Sequence, residues 1–460
     1  MTVKPFMLKA AVISIDQSAG LAPTDTDNIL DTVQNILHRH DIPTLIMDQS
    51  LPEVFDKLET MPGQTLFIGN QMAHLRQASS RGMITVRISH DRNDDANSDG
   101  VDFVIPDAAQ LAHVVRLGRP MPIGKFPCDL LERYLDDFSF EDESVIINPG
   151  IGEDTAAIDI QSSETLILKS DPITFATDSI GYYTVLINAN DIATSGAIPR
   201  WLLTTLLFPP QSTPSQAFQV MQDLKTACYQ WGITLCGGHT EITDAVTRPV
   251  VTGMMAGVVE RSRLLDKRNI RTGDTLWITK SLAVEGTSII AREFGDRLRL
   301  SGYTDGEINR LKEFLFSISI LDEARIAADT PGVVAMHDVT EGGLASAVSE
   351  LSTAGHHIIK IRMAAIPVYP ETSRLCKLLK IDPLGLIASG CLLICCRPDD
   401  CQSLIDNMSR SHISLTQIGE IGPPGKGVEA YHLEKPVKWP EFATDEITRI
   451  LLDRVGDTGR

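Results

Sequence analysis

The chain has 460 residues, 43% of them hydrophobic and 22% charged, and a formal net charge of -19 at pH 7. This length predicts two to four globular domains, and the acidic balance argues against nucleic-acid or anionic-membrane binding through a general basic surface. No apolar run reaches the roughly 18 residues of a membrane span. The eight cysteines form no metal-type pairs, and most lie in apolar surroundings, so we expect reduced thiols and a cytoplasmic location.

The first 119 residues alternate apolar runs with helical patterns, which predicts a small parallel α/β, Rossmann-like domain. The expected strands cover residues 8–15, 44–47, 65–69, 83–88 and 102–105. The expected helices cover residues 26–40, 51–58, 72–81 and 108–117. Residues 120–127, with three prolines and a glycine, predict a linker.

Two stretches of this domain, "LFIGNQMAHLRQASSRGMITVRI" and "DGVDFVIPDAAQLAHVV", resemble the late strands and loops of the haloacid-dehalogenase family. The strand before Asp16 resembles that family's first strand. The second acid of the family's Asp-x-Asp is Ser18 here, and its Gly-Asp is Gly69-Asn70. Without both carboxylates we expect no Mg²⁺ chemistry, and therefore a regulatory or dimerising domain. A generic Rossmann-like layer explains the same pattern equally well.

Residues 128–440 predict a larger α/β unit of two lobes, divided near residue 265, and residues 441–460 predict a charged terminal helix. The expected strands cover residues 165–168, 200–207, 234–236, 250–259, 275–279, 333–336, 358–363, 391–396 and 415–421. The expected helices cover residues 128–138, 181–198, 215–231, 286–294, 307–317, 320–328 and 344–353.

The stretch 146–159 joins two glycines, Gly150 and Gly152, to two carboxylates, Glu153 and Asp154. Glycines beside clustered acids suit a loop that holds a metal ion against a phosphate, although an ordinary acidic turn has the same composition.

Four further segments place acids or amides next to small residues. They are Lys169-Ser170-Asp171, Asn190-Asp191, Gly238-His239-Thr240-Glu241 and 338–343. Each acid taken alone is explained by a salt bridge or a cap. Several carboxylates that converge on one edge, however, would repel one another without a metal ion.

In this order the segments resemble the aminoimidazole ribonucleotide (AIR) synthetase superfamily, which includes selenophosphate synthetase, thiamine-monophosphate kinase and the hydrogenase-maturation carbamoyl dehydratase. The matching segments are "GIGEDTAAI", "LKSDPITF", "INANDIATSGAIP", "CGGHTEIT" and "HDVTEGGLASAVSEL". The later segment "IPVYPETSRLCKLLKIDPLGLIASGCLL" is similar to the hydrogenase-maturation branch. The match covers about residues 128–440.

The resemblance implies a homodimer with a central β-barrel built from both N-terminal lobes, and Mg-ATP bound at the subunit interface. Its shared chemistry is ATP-dependent activation of an oxygen by phosphoryl transfer. By matching position it assigns Mg²⁺ to Asp154, Asp171 and Asp191, and phosphate contacts to Lys169, Asn190, Gly237 and Gly238. Asp338 and Thr340 would face an anion site of the second lobe. His337 and Glu241 complete the catalytic set with Asp338.

The chain also departs from the branch. The carbamoyl dehydratase uses a C-terminal cysteine as its acceptor, whereas the last cysteine here is Cys401. We therefore expect that reaction only if another protein supplies the thiol. The acid of the family's Gly-Asp-Thr-Lys is His239 here, its Lys is Glu241, and the branch's late Glu-Gly is Ser389-Gly390.

Two functions follow from these patterns. The first is a Mg-ATP-dependent enzyme that activates an oxygen of a small-molecule or protein-thiol acceptor. The alternative is a nucleotide-binding regulatory or maturation-partner protein without turnover. The retained carboxylates favour the enzyme, and the altered His239, Glu241 and Ser389 favour the alternative.

Overall fold

A computed structural model describes residues 4–15, 23–47, 60–89, 100–121, 124–125, 127, 130–131, 134–135, 142–147, 157–161, 163–174 and 178–457. The chain divides into two compact units. The first holds residues 1–139, 206–223 and 239–249, and the second holds residues 140–205, 224–238 and 250–460.

The first unit contains a five-stranded parallel sheet with strand order β2-β1-β3-β4-β5. Its strands are β1 (Ala10–Ser14), β2 (Thr44–Ile46), β3 (Thr65–Gly69), β4 (Ile84–Ile88) and β5 (Phe103–Ile105). Its helices are α1 (Pro23–Arg39), α2 (Met72–Ser80) and α3 (Leu111–Leu117). The sheet confirms the parallel α/β layer that the alternating pattern predicts.

Side chains of alternate residues in β1 enter two different cores, as the two-residue period of a strand requires. Ala11 and Ile13 belong to one core with α1 and α3, whereas Val12 packs with Leu75 and Ala78 of α2. The sheet is therefore covered by helices on both faces, and its strands are almost uniformly apolar. The helix predicted over residues 51–58 lies outside the described residues, and the haloacid-dehalogenase resemblance stays a prediction.

The N-terminal lobe contains strands of a five-stranded sheet with strand order β6-β11-β10-β12-β9, in which β6 is antiparallel to β11 and β9 is antiparallel to β12. Elements of this part of the chain are β6 (Gly124–Lys125), β7 (Val145–Ile147), β8 (Ala157–Ile158), β9 (Glu164–Ile173), α4 (Ile180–Thr194), β10 (Ile198–Phe208), α5 (Pro214–Trp231), β11 (Thr234–Ile242) and β12 (Val250–Glu260). The pairing of β9 with β12 continues over ten residues of each strand.

The C-terminal lobe contains a seven-stranded mixed sheet with strand order β14-β16-β13-β17-β15-β18-β19. Its strands are β13 (Thr275–Thr279), β14 (Val333–Asp338), β15 (His357–Arg362), β16 (Leu392–Cys396), β17 (Leu415–Pro424), β18 (Val428–His432) and β19 (Lys435–Val437). Its helices are α6 (Val284–Glu293), α7 (Gly295–Leu300), α8 (Asp305–Glu313), α9 (Leu321–Ala328), α10 (Gly343–Gly355), α11 (Pro370–Leu379), α12 (Cys401–Arg410) and α13 (Glu446–Asp457).

Two segments that follow the predicted ends of strands lie inside strands in the structure. Lys169-Ser170-Asp171 lies inside β9, and residues 237–241 lie inside β11. The predicted strands ended too early because polar and small residues were interpreted as strand ends. In a sheet with one open face, such residues alternate with packed residues and the strand continues through them. The predicted helix 128–138 lies largely outside the described residues.

Candidate active site

Lys169 and Asp171 lie on the same face of β9, since they are two residues apart in a strand. Opposite them in β12 are Met255 and Gly253. A Cβ atom on Gly253 would approach the side-chain nitrogen of Asn188 to 2.6 Å, so this face of the sheet packs closely against α4. Glycine at 253 therefore brings α4 close to the two polar side chains of β9.

Asn188 fixes α4 against β9. Its side-chain oxygen accepts a hydrogen bond from the backbone N–H of Asp171 at 2.9 Å, and its amide nitrogen donates to the carbonyl of Thr184 at 2.9 Å. The side chain is completely buried. A buried amide with both groups paired holds two backbones in a single arrangement.

Lys169 bridges two carboxylates at this junction. Its Nζ atom lies 2.9 Å from Asp171 Oδ2 and 3.2 Å from Asp191 Oδ2, which α4 supplies. Burial lowers the pKa of Lys169, but the hydrogen bond to Asp171 and the charge of Asp191 outweigh it, so that the lysine pKa is raised. The lysine is therefore a permanent cation between the two acids.

Asp191 is strongly perturbed. Burial, followed by the charge of Asp338, raises the pKa of Asp191 to about 7, although Lys169 acts in the opposite direction. Its Oδ2 atom is buried and makes no well-aligned hydrogen bond to a described residue. Lys169 is the cation nearest to this oxygen, at 3.2 Å, and a carboxylate oxygen can accept a further donor or cation beside it.

Asp338 ends β14 and is buried, and its Oδ2 atom also has no hydrogen-bond partner among the described residues. His337 Nδ1 lies 3.6 Å from Asp338 Oδ1, which is too long for a hydrogen bond. Burial opposes ionisation of Asp338, but His337 outweighs it, and the pKa of Asp338 is lowered. The charge of Asp338 raises the pKa of Asp191, so the two carboxyl groups lie within electrostatic range of each other.

His337 is held between two acids. Its Nε2 atom lies 3.1 Å from Glu350 Oε2 of α10. Burial lowers the pKa of His337, but Asp338 and Glu350 raise it by more, so the net shift is upward. His337, a member of the predicted catalytic set, is thus held by an ion pair with α10.

The predicted anion site at the start of α10 is filled by the protein itself. The backbone N–H of Gly342 donates to Asp445 Oδ2 at 2.6 Å, and the N–H of Ile387 donates to Asp445 Oδ1 at 3.2 Å. Thr340 uses its carbonyl to accept the N–H of Gly343. A carboxylate is a natural ligand of a helix N-terminus, and here it takes the place expected for a substrate anion.

Asn190 has a packing role in the structure. Its amide nitrogen donates to the carbonyl of Ile318 at 2.8 Å, and its oxygen accepts the N–H of Ile320 at 3.0 Å. Both polar groups of this buried side chain are therefore committed to backbone. The phosphate contact of Asn190 stays a prediction.

The glycine pair of β11 also has a packing explanation. A Cβ atom on Gly238 would approach the carbonyl oxygen of Thr204 to 2.2 Å, so only glycine fits beside β10. His239 Nε2 lies 3.2 Å from Glu241 Oε2, and both side chains are exposed. Glu241 belongs to the first unit and Gly237 to the second.

Asp154, the third predicted metal ligand, lies outside the described residues. Within the described ranges no group of three or more histidine, cysteine, aspartate or glutamate side chains is arranged to hold a metal ion. The two described members of the predicted set, Asp171 and Asp191, are brought together by Lys169.

Sequence reasoning assigned no role to Asn188 or Glu285. Asn188 lies two residues before the predicted Asn190-Asp191 pair, in the same helix α4. Glu285 is in the first turn of α6 and is buried. The position of Asn188 in a largely apolar helix could have indicated a structural role for it. The sequence around Glu285 contains no comparable indication.

Among the helices that the structure describes, none combines the length and apolarity needed to cross a membrane.

Comparison with known proteins supports a common fold. Residues 152–259 match the family model "AIR synthase related protein, N-terminal domain", and residues 271–432 match "AIR synthase related protein, C-terminal domain". A carbamoyl dehydratase HypE of Cupriavidus necator is 26% identical over 285 residues, which cover 60% of this chain and 78% of that protein. A selenide, water dikinase of Methanocaldococcus jannaschii is 23% identical, with 67% and 90% covered.

Solved structures support the same fold. A crystal structure of HypE from E. coli superposes with a TM-score of 0.57 at 22% identity and covers 69% of this chain and 97% of that chain. A thiamine-monophosphate kinase from Stenotrophomonas maltophilia gives a TM-score of 0.55 at 20% identity, with 68% and 99% covered. Over residues 152–432 the chain belongs to the AIR synthase-related family.

Proposed function

We propose that the chain binds Mg-ATP and transfers a phosphoryl group to an oxygen of an acceptor molecule. The main observation behind this proposal is that Lys169 lies between Asp171 and Asp191. In addition, Asp191 Oδ2 is buried and makes no well-aligned hydrogen bond to a described residue. Relatives support the reaction class: one similar protein is a selenide, water dikinase, and a structure titled HypE in complex with ATP has the same fold at a TM-score of 0.54.

Asp171 and Asp191 fit a magnesium ion, because Mg²⁺ takes oxygen ligands and usually needs only one or two protein carboxylates beside phosphates and water. We assign the ion to these two residues, together with Asp154. Lys169 places a positive charge between the two acids. When nucleotide is present, the lysine contacts phosphate oxygens. Bound Mg²⁺ would neutralise charge on the transferred group.

The acceptor is a small molecule, or a group carried on a protein thiol, whose oxygen receives the phosphoryl group while ADP leaves, and the proposed assembly is a homodimer. Leu166 and Leu168 of β9 and Met254 of β12 lie on the face of the sheet opposite α4, and all three are exposed. Neighbouring apolar side chains on an open sheet face are typical of a surface that a second copy covers. The implied barrel of the family would be formed on this face.

The second candidate is a nucleotide-binding regulatory protein without turnover. The observation that favours it is Asp445, which occupies the N-terminus of α10 where a substrate anion was expected. Partner binding is compatible with either candidate, since a solved HypE–HypF complex shares the fold at a TM-score of 0.50.

Titration calorimetry tests the proposal with ATP and MgCl₂ on the wild type and on Asp191→Ala. Asp322→Asn is the matched control, because Asp322 is an exposed acid of α9. We expect the wild type and the control to bind alike, and Asp191→Ala to bind at least tenfold more weakly. Equal affinity in all three proteins would refute the site. Nucleotide binding without ATP hydrolysis in the presence of any acceptor would favour the regulatory candidate.

A further inference from the structure

The connection between β16 and α12 begins and ends with a thiol. Cys396 is the last residue of β16, and Cys401 is the first residue of α12. Both are free cysteines. Between them lies a 3₁₀ turn, Pro398–Asp400, in which the N–H of Asp400 donates to the carbonyl of Arg397 at 3.1 Å. This tight turn keeps the two cysteines near each other in space.

One backbone carbonyl contacts both sulfur atoms. Cys401 Sγ donates to the carbonyl oxygen of Arg397 at 3.2 Å, and Cys396 Sγ donates to the same oxygen at 3.5 Å. The two cysteine side chains also hydrogen-bond to each other. Two sulfur atoms in contact across a single turn require little side-chain rotation to reach the roughly 2.05 Å of a disulfide bond. The geometry therefore permits a bond between them.

Thr275 of β13 holds the pair in place. Its Oγ1 atom lies 3.0 Å from Cys401 Sγ and donates to the backbone carbonyl of Cys396 at 3.0 Å. Trp277 donates its Nε1–H to the same hydroxyl at 2.7 Å. Since Thr275 is also the register partner of Cys396, the proximity of the two thiols is built into the pairing of β13 with β16.

The two thiols differ in their access to solvent. Cys396 is completely buried, in a core that also contains Leu404 and Met408 of α12. Burial, and then the neighbouring Cys401, raises the pKa of Cys396 to about 12. Cys401 is only partly buried. A reagent from solvent therefore meets Cys401 first, and Cys396 is placed to react with the product.

We propose that Cys396 and Cys401 form a redox-active dithiol, which a small-molecule disulfide oxidises to an intramolecular disulfide bond. The thiolate of Cys401 attacks one sulfur of the small disulfide, so that a mixed disulfide forms and one small thiolate leaves. Cys396 then loses its proton to solvent and attacks Cys401 Sγ, which releases the second small thiolate. The two cysteines together lose two electrons and two protons, and the small disulfide is reduced to two thiols.

The new bond would tie the end of β16 to the start of α12. A reducing thiol reopens it by the same exchange, so the modification is reversible, and the bond protects Cys401 from irreversible oxidation. Neither nucleotide nor magnesium takes part. The inference therefore stands apart from the proposed function, and either can fail without the other.

The test is oxidation of the reduced, folded full chain with oxidised glutathione, followed by acid quenching, alkylation of the remaining thiols under denaturing conditions, and mass spectrometry of tryptic peptides. Trypsin leaves the Arg397-Pro398 bond intact, so residues 381–410 form one peptide that contains Cys391, Cys395, Cys396 and Cys401. We expect this peptide to lose two hydrogen atoms and to carry two alkyl groups. Fragmentation should place the new bond between Cys396 and Cys401, and dithiothreitol should restore four alkylation sites.

Variants separate this pair from its neighbours. Cys395→Ser is the matched control, because Cys395 precedes Cys396 in β16 and its side chain lies on the other face of the strand. This variant should form the bond like the wild type. Cys401→Ser should abolish the bond. Cys396→Ser should stop at a glutathione mixed disulfide on Cys401, which keeps the test decisive even if Cys401→Ser folds poorly.

Three results would overturn the inference. The first is full alkylation of all four cysteines after the wild type has been treated with oxidised glutathione. The second is a mixed disulfide on wild-type Cys401 that does not proceed to the internal bond. The third is a peptide that still loses two hydrogen atoms in Cys401→Ser, since the bond would then join other cysteines.

Discussion

The side-chain oxygen of Asn188 accepts the backbone N–H of Asp171 at 2.9 Å, across the junction of α4 and β9. This bond sets where the Asp171 carboxylate lies relative to Asp191, which α4 carries one turn later. The carboxylates of the proposed site are therefore positioned by a side chain whose own hydrogen bonds go to backbone atoms.

Asn188→Ala tests this positioning role. We expect the free energy of unfolding to fall by about 1–3 kcal/mol, because the N–H of Asp171 loses its acceptor in a buried place. ATP affinity should fall as well, since Asp171 is no longer fixed. Urea unfolding and calorimetry measure the two effects. The control is Gln402→Ala on the exposed face of α12, which should change neither quantity.

The sequence predicted the main elements well where apolar periodicity was strong. The expected helix over residues 215–231 and the strand over 275–279 agree with α5 and β13 within one residue at each end. Prediction failed where polar residues lie inside strands, as for Lys169 and Asp171. A strand that is open on one face tolerates polar residues, and only the pairing of β9 with β12 reveals that the strand continues.

Family motifs located Asp171, Asp191 and Lys169, which the structure brings within ion-pair distance. They did not reveal what each polar group bonds to. The amide of Asn190 binds the backbone at Ile318 and Ile320, and only the tertiary structure shows this. Partners that lie more than 100 residues away leave no pattern in the local sequence.

Lys169→Met should weaken Mg-ATP binding. Removal of a charged contact to phosphate costs about 1.5–3 kcal/mol, which corresponds to roughly 10- to 150-fold in Kd. The matched control is Lys360→Met, which removes a lysine paired with Glu420 on the C-terminal lobe. Calorimetry should show weak binding for the first variant and wild-type binding for the second. Loss of affinity in both would indicate general electrostatic attraction instead of a specific contact.

Leu168→Glu should convert a homodimer into monomers. A carboxylate in the middle of a dry apolar contact would be buried without a partner, at a cost that exceeds the contribution of the leucine. Sedimentation velocity measures the assembly state. Leu300→Glu is the control, because Leu300 is 91% exposed in α7, on the C-terminal lobe. A wild-type protein that is monomeric at micromolar concentration would rule out the proposed interface.

Gly257→Ala should destabilise the N-terminal lobe. A Cβ atom there would lie 2.5 Å from the carbonyl oxygen of Ile198 and 2.4 Å from a side-chain carbon of Ile192, so backbone must shift. Overpacking of this kind costs about 1–3 kcal/mol. Gly306→Ala in α8 is the opposite case, since nothing lies within 4 Å of its Cβ position. That change should stabilise the helix by about 0.5–1 kcal/mol. Thermal unfolding of the two variants should therefore shift in opposite directions.

Glu285→Gln tests the buried carboxyl through the pH dependence of stability. Burial raises the pKa of Glu285 to about 7 from an ordinary value of 4.5, so between these pH values the folded protein holds a proton that the unfolded chain has lost. The wild type therefore loses stability as the pH rises through this window, because the folded protein must either retain the proton on Glu285 or bury the ionised carboxylate. The amide that replaces the carboxyl in the variant has no proton to lose in this range.

We accordingly expect the stability of Glu285→Gln relative to the wild type to improve by about 2 kcal/mol between pH 5 and pH 8. The same shift in Asp191 is present in both proteins and cancels in the difference. Urea unfolding at a series of pH values gives the two curves. Parallel curves would mean that Glu285 ionises equally in the folded and unfolded states, and that its burial is compensated by a partner.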